Sequence, residues 1–353
     1  MRRSLIGALV FSAALSLAHI ALAQSPASSQ QQQTTPAPTP AAPAKPEKGI
    51  TLGSLKSPLV WPIWAAQDRG FFAREGLAVK NAYSANAPAQ MMGLIRGEFE
   101  MATAPLDSVI AYSEGECAPQ APKDADLIAL FGINKGALSL VSQPEILGGI
   151  QLHYKTIAVD EIGSAISFIV RELLALWDYP ANGYKTIAVG DAPARWGALR
   201  EKRATATLLT PPFTQLALAQ GYTPLLNVAD RFRGYQGTVA ASRRDWATTN
   251  ADVVVGFVRG YRSGLDWLKA PANRSVALDI LRREMPEMTV ASAVESYGLL
   301  IVDAKGFDPG GKIDAVGARR VFQLRRLYGP QGKGISQVGY FIDESYFQRA
   351  IRP

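Results

Sequence analysis

Two serines occupy equivalent positions in this sequence, each between a predicted strand and a predicted helix. Ser57 follows the apolar stretch Ile50 to Leu55, and Ser164 follows Gly163 after the stretch Thr156 to Val159. The first turn of a helix leaves backbone N–H groups unpaired, and such groups bind anions or polar ligand atoms. A serine at this position also commonly caps its own helix. Both roles are therefore open for Ser57 and Ser164.

Two aromatic side chains lie close to predicted helix starts. Trp61 begins the helix after Ser57, and Phe213 begins another helix after Pro211 and Pro212. Aromatic rings often form walls of sites for small organic molecules. A tryptophan at helical spacing is equally compatible with a core position. Trp61 is therefore a candidate ligand wall with the core as its alternative, and Phe213 is the candidate for the opposite wall.

Charged residues near the two serines limit what could bind there. Asp160 and Glu161 precede Gly163, and a carboxylate facing the site disfavours a purely anionic ligand. Lys56 lies beside Ser57 and carries a positive charge, although an exposed lysine is usually only solvated. The charge of the ligand stays open.

The residue types that commonly bind metals or perform catalysis are scarce. The sequence has two histidines, His19 and His153, and one cysteine, Cys117. A site built on histidine and cysteine needs several such ligands, and Cys117 has no partner for an internal disulfide. No spacing of carboxylates indicates an acid–base pair. We therefore expect no enzyme activity, no metal and no cofactor.

The N-terminal segment has the features of an export signal. Arg2 and Arg3 precede an apolar run, and Ala21-Leu22-Ala23 matches the small-x-small site of signal peptidase. We expect residues 1–23 to be a cleaved signal peptide and the mature protein to be periplasmic. Residues 24–48, rich in Gln, Pro and Ala, predict a disordered linker, because they contain too few large apolar side chains to form a core.

The net charge of +7 includes the two arginines of the leader. The remaining basic residues are scattered through helical stretches, as in the pairs at 282–283, 319–320 and 325–326. A nucleic-acid partner requires a clustered basic patch. We expect no nucleic-acid partner.

Strands and helices alternate from residue 49 onward, as judged from apolar periodicity, proline at helix starts and glycine at helix ends. The first series contains strands at 50–55, 77–83, 101–103, 127–133 and 137–142, with helices at 61–74, 88–96 and 106–112. Pro144 interrupts this series. A second series follows, with strands at 156–159, 186–189 and 206–209 and helices at 165–176, 192–201 and 213–219. A strand at 238–242 and four further helices complete the chain.

Two successive series of alternating strands and helices predict the α/β class, with two mostly parallel sheets flanked by helices. The region after residue 48 contains about 300 residues, which exceeds the usual size of a single core. We therefore predict two lobes.

One stretch, Pro58 to Val79, is specific enough to indicate a family. It contains Trp61 and Trp64, the turn Gly70-Phe71-Phe72 and then Gly76-Leu77. It resembles periplasmic solute-binding proteins of the nitrate, sulfonate, taurine and thiamin-pyrimidine-precursor type. Similar steps follow at Leu94 to Ala102, Ile157 to Ala165 and Ala206 to Phe213, so the resemblance extends over nearly all of the chain after residue 48.

The resemblance implies a two-lobed, type II periplasmic-binding-protein fold with two hinge crossings, near Leu140 to Pro144 and near Gly234 to Thr238. Residues 49–141 and 238–353 would form lobe 1, including the late helices, and residues 142–237 would form lobe 2. Loops at strand ends would then converge on one cleft. The candidate ligand-binding residues are Ser57, Trp61, Ala104, Gly163, Ser164, Ala165, Thr210, Pro211 and Phe213.

The function that the resemblance implies is capture of a small molecule for the permease of an ABC transporter, by a protein that we expect to be a monomer. A sulfonate, nitrate, a pyrimidine and a small aromatic acid are all open as ligands. The alternatives are an enzyme of the thiamin-pyrimidine type and a sensory domain that reports a ligand to a receptor. The enzyme would require the histidines and cysteines that this chain lacks.

Overall fold

The computed structural model describes residues 48–116, 122, 125–180, 183–232, 234–303, 306–330 and 337–352. The predicted signal peptide, the predicted linker up to residue 47 and Cys117 lie outside these residues. Lys48 already belongs to the first strand. Among the described helices, none combines the length and apolar character needed to span a bilayer.

The described strands form two sheets of five. They are β1 (Lys48–Ser54), β2 (Leu77–Tyr83), β3 (Met101–Pro105), β4 (Leu127–Gly132), β5 (Ser139–Ser142), β6 (Thr156–Val159), β7 (Lys185–Ala188), β8 (Ala206–Leu209), β9 (Thr223–Asn227) and β10 (Thr238–Arg243). The first sheet has the order β2-β1-β3-β10-β4, and the second has the order β7-β6-β8-β5-β9.

The two sheets share one topology. In the first sheet β10 runs antiparallel to both of its neighbours, and in the second sheet β5 does the same. The other strands of each sheet run in one direction. This confirms the predicted α/β class with two mostly parallel sheets.

Helices flank both sheets. In the first part of the chain these are α1 (Trp61–Asp68), α2 (Phe71–Arg74), α3 (Ala87–Arg96), α4 (Leu106–Ser113), α5 (Ala165–Ala175), α6 (Ala192–Arg200), α7 (Phe213–Ala219) and α8 (Val228–Phe232). The C-terminal part contains α9 (Arg244–Thr249), α10 (Ala251–Lys269), α11 (Arg274–Glu284), α12 (Val290–Tyr297), α13 (Ala315–Tyr328) and α14 (Ser345–Ile351).

Glycines end several helices at the predicted places, with one difference. Gly97 closes α3 in the left-handed conformation, at φ 77°, which glycine adopts without steric cost. The single helix predicted from Trp61 to Arg74 is instead two helices. Gly70 separates them because it adopts φ 68°, a conformation that an α-helix does not contain.

Apolar side chains pack on both faces of each sheet. Ile50 and Leu52 of β1 lie in a core with α1, α10 and α11, whereas Ala102 of β3 lies in the core on the opposite face. The second sheet alternates in the same way, with Ile157 beneath α5 and Ala158 facing α6. Two-sided burial explains why these strands are almost continuously apolar.

The position of β5 corrects the predicted boundary between the lobes. Residues Ser139–Ser142 pair with β8 and β9 of the second sheet, so the prediction that places residues up to 141 in lobe 1 is wrong. The first connection between the lobes is instead residues 133–138. An isolated apolar strand has no local signal that specifies which sheet it joins, because that choice depends on distant pairing partners.

One of the late helices, α13, differs from the prediction. Helices α10, α11 and α14 pack with α1 or with one another in the first lobe. Helix α13 instead contacts both α4 of the first lobe and α5 of the second. It therefore bridges the lobes.

A buried polar network joins the two connections between the lobes. Gln236 of the second connection donates through Nε2 to the carbonyl of Asn134 in the first, at 3.1 Å, and to Asp308 Oδ2 at 2.8 Å. The Gln236 side-chain carbonyl accepts from the backbone N–H of Asp314 at 2.7 Å. Asp308 also donates its backbone N–H to the carbonyl of Ile133 at 2.9 Å. The segment around Asp308 is thus hydrogen-bonded to both connections.

Asp308 is fully buried, and burial raises the pKa of its carboxyl from 3.8 to about 7. The hydrogen bond from Gln236 and the charge of Lys135 lower this pKa, and Asp314 raises it, but burial outweighs them. The folded protein therefore holds a proton on Asp308 at pH values where the unfolded chain has lost it.

This proton predicts a pH dependence for Asp308→Asn. Because the folded-state pKa is raised, the contribution of Asp308 to the free energy of unfolding is retained below pH 4 and decreases as the pH rises towards 7. We expect the variant to match the wild type near pH 3 and to be more stable by roughly 4 kcal/mol near pH 8. Urea unfolding at both pH values measures this. Equal differences between variant and wild type at the two pH values would contradict the prediction.

Candidate ligand-binding site

The candidate residues lie where strands of the two sheets end. In the first lobe, Ser57 follows β1 and Ala104 lies near the end of β3. In the second lobe, the candidates follow β6 and β8, and they are Gly163, Ser164, Ala165, Thr210, Pro211 and Phe213. Ligands of open α/β sheets bind outside these strand ends. The polar groups that remain free there decide what the site is able to bind.

Two of the candidates are core residues. Trp61 is fully buried, its indole N–H donates to the carbonyl of Ala277 at 3.1 Å, and its ring meets Tyr297 edge-on at 5.8 Å. Ala104 is also fully buried. Trp61 is therefore a core residue, as in the alternative interpretation, and its side chain does not form an exposed wall of the site. Tertiary contact with α11 and α12 decides this, and no local pattern reveals it.

Ser57 does not cap the turn that follows it. Its side chain makes no capping hydrogen bond, although its backbone carbonyl accepts from the N–H of Val60 at 3.0 Å. The residue is partly exposed. Its hydroxyl is thus available to a ligand, and a ligand contact for Ser57 stays a prediction.

Ser164 caps α5. Its hydroxyl accepts from the N–H of Ser167 at 3.2 Å and lies within bonding distance of Asp160 Oδ1 and of the carbonyl of Glu161. Gly163, at φ 89°, donates its N–H to Ser167 Oγ at 3.0 Å. The capping role predicted as the alternative is therefore present, and the hydroxyl is engaged within the protein.

Arg195 is a charged residue of this region that the sequence reasoning missed. It is buried in the first turn of α6, and its guanidinium donates to the carbonyls of Leu208 at 3.0 Å and Gly190 at 3.1 Å. Burial lowers its pKa, while Asp160 and Asp191 raise it through space. Arg195 therefore links the end of β8 to the loop after β7 through hydrogen bonds. The only local signal is an arginine in the first turn of a helix that follows a strand.

Asp160 is the acidic counterpart of Arg195. Burial raises the pKa of Asp160, and Arg195 and the Ser164 hydroxyl oppose that rise. The pair places one cation and one carboxyl at the strand ends of the second lobe, with no net excess of positive charge.

A buried ion cluster connects α13 to the first lobe. Arg325 donates to both carboxylate oxygens of Asp107, at 2.7 and 2.8 Å, and to Glu116 Oε2 at 2.5 Å. Burial by itself lowers the pKa of Arg325, but Asp107 and Glu116 outweigh that effect and hold the pKa above its ordinary value. The guanidinium is charged and paired with both acids.

The same arginine reaches the second lobe. Its Nη2 lies 3.5 Å from the carbonyl of Gly163, and its guanidinium lies 5.1 Å from the centre of the Phe168 ring. Further along α13, the Tyr328 hydroxyl donates to Glu172 at 2.9 Å. The loop after β6 is thus held against α13 and α4, and the two lobes are in contact.

Comparison with known families identifies the chain. A sequence profile described as the NMT1-like family matches residues 43–282. This chain belongs to the NMT1-like family.

The NMT1-like protein is also similar to solved structures. The nitrate-binding protein NrtA of Synechocystis aligns with a TM-score of 0.72 and 14% identity, over 87% of this chain and 89% of that one. The ligand-binding component of an ABC-type import system from Staphylococcus aureus, solved with zinc, has a TM-score of 0.71 and 15% identity over 87% and 100% of the chains. The alkanesulfonate-binding protein SsuA of Xanthomonas axonopodis, bound to MOPS, has a TM-score of 0.66 and 16% identity over 86% and 99%. These similarities establish the two-lobed fold. The sequence matches no curated protein.

Several buried polar atoms of the NMT1-like protein have no hydrogen-bond partner. Four of them are Ser54 Oγ at the end of β1, Thr214 Oγ1 and Gln215 Oε1 in α7, and Ser296 Oγ in α12. Their residues are at least nine-tenths buried, with exposures of 0%, 5%, 7% and 0% respectively. Buried polar groups normally find a partner, so each of these atoms requires an explanation.

Two of the elements that carry these atoms, α7 and α12, meet across the two lobes. Helix α7 of the second lobe contacts α12 of the first. Tyr297, next to Ser296, contacts Trp61, which follows the loop after Ser54. The sequence reasoning reached this region through Thr210, Pro211 and Phe213 but stopped one residue before Thr214. Phe213 itself packs its ring against the second-lobe core near Trp196 and Leu209.

The variant Ser164→Ala separates the two roles predicted for this hydroxyl. Because its bonds are all internal, we expect the free energy of unfolding to fall by about 1 kcal/mol and the ligand affinity to stay unchanged. Chemical denaturation and calorimetric titration measure the two quantities. The matched control, Ser57→Ala, removes a hydroxyl that makes no cap and should leave stability unchanged. A tenfold loss of affinity in Ser164→Ala with wild-type stability would instead favour a ligand contact.

Proposed function

We propose that this NMT1-like protein is the solute-binding component of an ABC importer and captures a small molecule between its two lobes. The observation that most supports this is the set of unpaired polar atoms on elements that meet across the lobes. Leaving a buried donor or acceptor unpaired costs about 1–3 kcal/mol. Several such groups in one region are expected where a second molecule supplies the missing partners.

The similar structures support the same function. NrtA is named for nitrate binding, SsuA for alkanesulfonate binding, and the Staphylococcus aureus protein as a component of an ABC-type import system. A shared fold alone does not determine function. The proposal for this chain therefore rests on its own unpaired groups. The comparison adds that similar structures belong to proteins named for binding small solutes or for import.

The arrangement of the lobes is consistent with capture by closure. Only short segments connect the two sheets, and α13 contacts both lobes. Closure of two lobes around a ligand is a common hinge motion. We propose residues 133–138 and 234–237 as the hinge.

The compartment and the partners follow from the same proposal. Cleavage after Ala23 would release the protein into the periplasm, where a membrane permease would receive the ligand. A monomer suffices for this role, because both halves of the site belong to one chain. Ser57, Gly163, Ala165, Thr210 and Pro211 remain proposed contacts of the ligand.

A ligand screen tests the proposed function. We expect at least one compound among nitrate, alkanesulfonates, pyrimidines and small aromatic acids to raise the melting temperature of the mature protein in a concentration-dependent way. Binding at one hundred times Kd stabilises the folded state by about 2.7 kcal/mol. Potassium chloride at equal ionic strength is the control for the salts. A melting temperature that no compound raises would contradict solute binding.

Solution scattering tests the hinge. The lobes should separate in the ligand-free protein and close on a ligand found in the screen, so the radius of gyration should be smaller in the bound state. The truncated protein without residues 24–47 provides a second measurement free of the proposed linker. Equal radii in both states would argue against closure.

A further inference from the structure

Helix α7 enters the boundary between the lobes with its first turn. Thr214 and Gln215 are buried, whereas Leu218, further along the same helix, is 42% exposed. Helix α12 of the first lobe contacts α7, so α7 lies against the other lobe. Its polar side chains are therefore placed for a molecule held between the lobes.

The unpaired groups on these helices are neutral. Thr214 and Ser296 offer hydroxyls, each able to donate and accept a hydrogen bond. Gln215 offers a buried carbonyl oxygen without a partner. Two hydroxyls and a carboxamide oxygen together match a ligand that has a hydrogen-bond donor next to an acceptor, as in an amide.

The two buried arginines of the region are already engaged. Arg195 donates to two backbone carbonyls, and Arg325 pairs with Asp107 and Glu116. Lys56 is exposed, and its ammonium lies 5.6 Å from the centre of the Tyr83 ring. A buried oxyanion would have to be desolvated without help from either of these guanidinium groups, which is costly.

From these contacts we propose that Thr214, Gln215 and Ser296 form the polar contacts of the ligand, and that the ligand is an uncharged molecule with adjacent hydrogen-bond donors and acceptors. The proposal rests on the proposed solute-binding function and specifies its ligand class. An amide or an amino-substituted heterocycle has this chemistry. A nitrate, sulfonate or carboxylate does not.

Matched pairs of compounds test the charge of the ligand. Benzamide with benzoate, nicotinamide with nicotinate, and methanesulfonamide with methanesulfonate differ mainly in charge and in the donor. Calorimetric titration of the mature protein should give affinities at least tenfold higher for the amide of a pair. A carboxylate or sulfonate that binds more tightly than its amide overturns the uncharged-ligand proposal and leaves solute binding intact. If neither class binds and the wider screen also fails, both proposals fall.

Variants test the three contacts with the best-bound amide. Thr214→Val, Gln215→Leu and Ser296→Ala should each weaken binding by about tenfold, a loss equivalent to about 1.4 kcal/mol. The first variant preserves size and removes a hydroxyl that makes no bond, so the fold should be retained. Unchanged affinity in all three variants would overturn the assignment.

Two control variants show that the effect is specific. Thr207→Val removes a buried hydroxyl that already donates to the carbonyl of Ala158 at 2.8 Å. Ser292→Ala removes a hydroxyl of α12 that already bonds the carbonyl of Thr289 at 3.0 Å. Both should lower the melting temperature and leave the affinity for the amide unchanged. An equal loss of affinity in the controls would indicate a general effect of packing and overturn the assignment.

Discussion

The positive charge of the buried Arg325 guanidinium must be neutralised by groups next to it. This requirement determines how α13 packs between the two lobes. Burying a charge is costly unless it is paired and hydrogen-bonded. Asp107 and Glu116 supply that compensation, so α13 is held on α4. The same group reaches the carbonyl of Gly163 and the ring of Phe168, which brings the loop after β6 to the boundary between the lobes. One ion cluster thus connects α13, the first lobe and the second.

The proposed hinge depends on a different kind of interaction. Its network uses the neutral groups of Asn134 and Gln236 around a single acid, Asp308, whose pKa burial raises to about 7. No cation lies within ion-pair distance of this carboxyl among the described residues. A network of neutral groups tolerates small changes of geometry better than a bidentate ion pair, since no charge is left uncompensated when one bond lengthens. The ion cluster around Arg325 therefore suits a fixed contact, and the network around Asp308 suits a proposed hinge that must allow small movements.

The site follows from which polar groups the fold has already used. Ser164, Arg195 and Arg325 are prominent in the region, yet their hydrogen bonds stabilise α5, the ends of β7 and β8, and α13. The buried groups left without partners include hydroxyls and a carboxamide oxygen on α7, α12 and the end of β1. A ligand binds to polar groups without partners, because it then replaces water and breaks none of the hydrogen bonds that stabilise the fold.

The sequence by itself determined the local structure and the class of fold. Apolar runs bounded by glycine and proline predicted the alternation of strands and helices, and Gly97 and Ser164 indicated helix ends that the structure contains, because these effects act over one turn of chain. It could not determine which sheet β5 joins. That choice depends on pairing with β8 and β9, which lie far along the chain.

Only the tertiary structure decided the state of each polar or aromatic side chain. The bond of Trp61 to Ala277 spans 216 residues, and that of Arg325 to Asp107 spans 218. These contacts assign Trp61 to the core and Arg325 to an internal ion cluster. They leave Thr214, Gln215 and Ser296 buried without partners. Burial and hydrogen bonding are properties of neighbours in space, and residues so distant in sequence become neighbours only when the chain has folded.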